Sequence, residues 1–186
     1  MKVIIIGLLL IVVSQACQIS NKEIRVLSDK ELREVQGLST INLQRSYLMN
    51  IFNSDQDIRN KYEFVLIENG YGTTEFKEHL KEMKSVDELN LMKIDMYLNL
   101  YGYPVNKKHG NEVVDVPCLV VHHFADEKVS EKYFEIFKKA YFSEDLSESI
   151  FLFYLRSFYE LKYNKKFQAT NFENEIDQII LELSVN

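Results

Sequence analysis

The chain has 186 residues, with 22 Lys and Arg against 28 Asp and Glu, and a formal charge of −6. An acidic chain argues against a nucleic-acid partner, because phosphate contacts need clustered Lys and Arg, and Lys107-Lys108-His109 and Lys162 to Lys166 are short. Two cysteines, Cys17 and Cys118, exclude a disulfide scaffold if Cys17 is otherwise engaged.

The first element reads as an export signal. Met1-Lys2 is a cationic start, Val3 to Val13 an uncharged apolar run, and Ser14-Gln15-Ala16 places small residues before Cys17. A bilayer-spanning helix needs about 20 apolar residues, and this run is too short. The boundaries that follow are 1–16 for the signal, 17–27 for a polar tether and 28–186 for one folded domain. A cysteine directly after Ala16 resembles the lipobox of bacterial lipoproteins, although Ser14 and Gln15 differ from its usual residues. That resemblance implies acylation of Cys17 with palmitate-type chains. It also implies a membrane anchor on the periplasmic or outer-membrane side of a Gram-negative envelope. Ser-x-Ala equally satisfies an ordinary signal peptidase.

Helix signals then recur. Ser28-Asp29-Lys30-Glu31 is a capping box opening a helix to about Gln36. Leu43, Tyr47, Leu48, Ile51 and Phe52 have helical spacing, and Ile58, Tyr62, Val65 and Leu66 form a second stretch ending at Asn69-Gly70-Tyr71-Gly72. Phe76, Leu80 and Met83 mark a short helix. Ser85-Val86-Asp87-Glu88 is a capping box for another, which stops at Gly102 and Pro104. Residues 103 to 115 read as a long polar loop.

Asp115-Val116-Pro117 opens a helix that is apolar nearly all round and therefore central. Ser130 is read as the cap of the next. Asp145 to Tyr163 is a long helix with Ile150, Phe153, Tyr154, Leu155 and Phe158 facing inward, and Thr170-Asn171-Phe172-Glu173 caps the last. The fold class expected is all-α, an irregular bundle of seven or eight helices.

Polar clusters interrupt this pattern. Asp55-Gln56-Asp57-Ile58-Arg59 is placed at or near a helix start, where a carboxylate suits the dipole or serves as an N-cap. In His122-His123-Phe124-Ala125-Asp126, helical spacing lets either imidazole meet Asp126. A carboxylate beside a histidine fixes its tautomer, as a general base requires. The alternative is a helix end where imidazoles bond exposed carbonyls. Arg156, amid aromatic residues, is either paired with Asp126, Asp55 or Asp87 in a structural clasp or binds an anion. Cys118 is either activated by the helix start or buried as a small hydrophobe. No metal-ligand spacing and no cofactor motif occurs in the sequence, so neither a metal nor a cofactor is expected.

In this order the clusters resemble a bacterial family of domains of unknown function. Its pattern runs D-Q-x-x-R, a helix with Asp and Asn, G-W/Y-P, Q/H-H-x-D and a D-R helix. The matching residues are Asp55, Gln56 and Arg59; Asp87 and Asn90; Tyr101, Gly102, Tyr103 and Pro104; His123, Ala125 and Asp126; and Arg156. Tyr103 stands where the family has Trp, His122 where it has Gln, and Leu155 where it has Asp. The resemblance implies that Gln56, Arg59, His123, Asp126 and Arg156 converge in one polar site. Two functions are compatible with that expectation. One is an envelope lipoprotein binding a small polar or anionic ligand. The other is a hydrolase with His123 as general base, Asp126 as its orienter, and Arg59 and Arg156 stabilising negative charge.

Overall fold

The computed structural model describes residues 26–169 and 174–185. The segment expected to be an export signal, Cys17 and the capping box expected at residues 170–173 lie outside them. The described residues are all-α, with no strand among them. Seven helices have eight residues or more: α1 (Asp29–Gln36), α2 (Ile41–Asn69), α3 (Thr74–Tyr101), α6 (Val116–Phe124), α7 (Glu127–Phe142), α8 (Glu148–Tyr163) and α9 (Glu175–Ser184). Two single turns, α4 (Asn106–His109) and α5 (Asn111–Val114), occupy the stretch read as loop.

Helices α2 and α3 are each continuous where two shorter helices were expected. Residues 53–57 contain no Gly or Pro, so nothing ends α2 between its apolar stretches. Thr40 caps its start, its hydroxyl accepting from Leu43 N at 3.3 Å, and Gly70 ends it at φ 81°. Likewise the Ser85 box lies inside α3, because a cap is worth only about 1 kcal/mol and packing favours continuation. Thr73 is the true N-cap, and Gly102 ends the helix at φ 73°.

The pair forms an antiparallel hairpin about 42 Å long by helical rise. Its register is marked by Tyr47 stacked on Tyr97, Arg59 bonded to Asp87 and Lys61 bonded to Glu82. At the open end the Tyr101 hydroxyl donates to Val35 O of α1 at 2.8 Å, and α1 keeps its Ser28–Glu31 capping box.

The apolar helix α6 is central, as its composition predicts, and packs against α2, α3, α7 and α8. Val116, Pro117, Cys118, Val120 and Val121 are all buried. Burial pushes the Cys118 thiol well above its ordinary pKa, which removes the activated-cysteine reading.

Beyond α6 the chain turns at Ala125, in the left-handed region at φ 48°, and Asp126 caps α7 by accepting from Val129 N at 3.0 Å. Ser130, the expected cap, is buried within α7, and its carbonyl accepts from the Tyr154 hydroxyl. The α7–α8 seam is aromatic, with Phe137 edge-on to Tyr154 at 5.0 Å.

Helix α8 begins at Glu148, three residues later than expected. The Asp145 carboxylate accepts from Asn106 N, and that of Asp115 from Ser147 N. Both aspartates therefore knit the 103–115 stretch to the body.

Candidate functional site

Asp55 is the centre of the polar cluster. It lies in the middle of α2, 1% exposed, and so is neither a helix start nor an N-cap. A carboxylate this deep must be matched by donors. His123 Nδ1 lies 2.9 Å from Oδ1, Arg59 reaches the same oxygen at 3.3 Å, and Gln56 Nε2 donates to Oδ2 at 2.8 Å. Arg59 spans onward, donating to Asp87 Oδ1 at 2.9 Å. Helix α6 supplies the imidazole, α2 the carboxylate and guanidinium, and α3 the second carboxylate.

An ionised carboxylate only accepts, so the proton on the His123 side of this contact sits on Nδ1. His123 Nε2 has no hydrogen-bond partner among the described residues. The ring is 19% exposed and the Arg59 side chain 23%, so both reach solvent from the buried Asp55. Asp87 feels burial most strongly, which raises its carboxyl above the ordinary range against the pull of Arg59.

His122 faces the same cluster with another character. Its ring lies 5.4 Å from that of His123 and stacks 6.4 Å from Phe153. Its Nδ1 is buried without a partner. Burial first, then the His123 and Arg59 charges, depress its pKa to about 4. Phe153 was expected inward; it is about half exposed and covers this imidazole. Asn90 is buried too, with Nδ2 unpartnered, and the α2–α3 register sets it level with Asp55.

Two expected members stand elsewhere. Asp126 belongs to the start of α7, because α6 ends two residues before it and helical spacing no longer applies. It joins Asp87, Phe124, Leu80 and Met83 around a cleft of about 300 Å³ beside the cluster. Arg156 forms a two-pronged pair with Glu175 of α9, both contacts 2.7 Å, which draws the glutamate's pKa down. That is a clasp between α8 and α9, and it takes Arg156 out of the site. None of the partners expected for it is used. Tyr101 and Tyr103 serve the fold, bonding backbone carbonyls of Val35 and Val114.

Of the five residues expected to converge, Gln56, Arg59 and His123 lie together, around Asp55, and Asp126 and Arg156 do not contact them. Asp87 joins them through Arg59, and not through Arg156, the partner considered for it in the sequence. No family model, curated protein or solved structure matches this chain.

Proposed function

We propose that this chain is an exported bacterial envelope protein, anchored through lipid on Cys17, whose helical domain binds a small polar or anionic ligand at the Asp55–His123–Arg59 cluster. The observation that carries the ligand reading is the tie between buried Asp55 and two cationic-type side chains that both remain open to solvent. His123 Nε2 and the Arg59 edge are groups a small oxyanion or hydroxyl can engage, and the Asp87 carboxylate beside the cleft sets the rim. The sequence order Met1-Lys2, apolar run, Ala16-Cys17 supports export and acylation. Loss of radiolabelled palmitate from a Cys17→Ser chain tests the anchor.

The ligand reading is tested by following the His123 ring nitrogens by NMR while adding phosphate or acetate. Saturable shifts in the wild type, abolished in Arg59→Gln, are expected. Silence toward both anions would remove an anionic ligand.

A second reading is favoured by one specific feature. His123 has one nitrogen tied to a buried carboxylate and the other without a partner, as in a general base. Asp55, in place of Asp126, is then its orienter in a hydrolase that activates water. A panel of chromogenic esters and phosphoesters would show activity falling about 10²–10⁴-fold in His123→Ala.

A further inference from the structure

One buried titratable side chain takes no part in the cluster. His79 of α3 is 3% exposed and lies beside Tyr62 of α2, their ring centroids 6.3 Å apart. Its Nε2 is 3.1 Å from Ile58 O of α2. A backbone carbonyl only accepts, so Nε2 carries a hydrogen whether the ring is neutral or charged. Nδ1 then carries one only in the charged ring. This nitrogen is buried without a hydrogen-bond partner, and Glu82 Oε2, one turn along α3, stands 3.6 Å from it.

The same oxygen accepts from Lys61 Nζ of α2 at 2.8 Å. Ile58 O, His79, Glu82 and Lys61 thus form a row that leaves α2, crosses to α3 and returns. The row is open at one point. A neutral Nδ1 and a carboxylate both accept and cannot bond, whereas a charged ring has a donor at that place. The Lys61 ammonium, with a smaller pull from His79, holds the Glu82 carboxyl below its ordinary range. The acceptor is therefore already ionised where an imidazole charges. The titratable and charged groups on this ring are Glu82 from its own helix and, from α2, Tyr62 and Lys61.

We propose that His79 is a proton-operated latch between α2 and α3. The charged ring closes the row, donating from Nε2 to Ile58 O and from Nδ1 to Glu82, and tightens this part of the hairpin. Leu80 and Met83, each next to a member of the row, line the cleft beside Asp87, so the latch firms one wall of that cleft. It depends neither on the anchor nor on the ligand proposed above.

Ring-nitrogen NMR of the full chain with labelled histidine, run from about pH 8 to about pH 5, tests the latch. The neutral His79 ring should show the Nε2–H form, and the Nδ1–H form would overturn the proposal. The Glu82 side chain is 53% exposed, so Glu82→Gln leaves the core alone. In that variant the ring should charge at a pH lower by about half a unit or more. An unmoved titration would mean that Glu82 receives no bond from the ring, and would overturn the latch. Native-state amide exchange, corrected for its intrinsic pH dependence, reads the tightening. Protection at Lys61 to Leu66 and at Leu80 to Met83 should rise about threefold or more on acidification of the wild type. It should stay flat in Glu82→Gln and in Lys61→Met, which removes the return to α2. Protection that falls in the wild type, or rises equally in all three chains, would overturn the latch.

Discussion

His123 Nδ1 and Asp55 Oδ1 stand 2.9 Å apart across 68 residues of sequence. The contact joins the central helix to the middle of the hairpin, and it ties a ring that is 19% exposed to a carboxylate almost without access to water. Removing the carboxylate strands its three donors. Asp55→Ala should therefore cost about 3–5 kcal/mol in urea unfolding, the range for breaking one side of a buried ionic pair. Asp55→Asn keeps an acceptor for the imidazole and should cost clearly less. Equal, small losses in both would mean that water already satisfies these groups.

His122 makes the fold sensitive to acid. Its pKa is about 4 in the folded chain against about 6.5 unfolded, so between these values the unfolded state binds more protons. Stability is complete above pH 6.5 and falls as pH drops toward 4. The groups facing this ring are His123 of α6, Arg59 and Asp55 of α2, and Phe153 of α8. His122→Phe should flatten the thermal-unfolding profile across that window. A profile that keeps its slope would place the proton uptake elsewhere.

The Arg156–Glu175 clasp should matter less than its two short bonds suggest. The Arg156 side chain is 46% exposed, so water weakens the pair, but Glu175 is only 7% exposed and loses its partner in Arg156→Ala, which puts the cost at about 1–3 kcal/mol. Arg156→Ala is expected to lower stability by no more than that, with the loss reduced further in high salt. Its effect on phosphate shifts at His123 should be nil. A changed His123 response would return Arg156 to the site.

Local signals were legible in the chain, and non-local ones were not. The Ser28 capping box, the glycine stops at 70 and 102 and the central placement of α6 follow from adjacent residues. The Ser85 box misled because a cap is a weak preference inside a helix that packs along its whole length. The dyad partner was misassigned for a related reason. Four-residue spacing puts Asp126 beside His122 only on an unbroken helix, and α6 breaks at Ala125. Nothing in the spacing of Asp55, Asp87 and His123 brings them together; the antiparallel register of α2 and α3 and the docking of α6 do that.

The two aspartates can be separated by one measurement. Asp126 accepts from Val129 N as an N-cap, so Asp126→Ala should cost about 1 kcal/mol of stability. It should leave the His123 tautomer untouched, because no contact joins the two side chains. Asp55→Asn should act in the opposite sense. The neutral amide no longer favours a proton on Nδ1 so strongly, and an amide nitrogen turned toward the ring would select the Nε2–H form. Nitrogen chemical shifts of the His123 ring in each variant report the tautomer directly. Movement in Asp55→Asn alone would identify the carboxylate that orients this imidazole. Movement in Asp126→Ala alone would restore the local pairing that the helix break opposes.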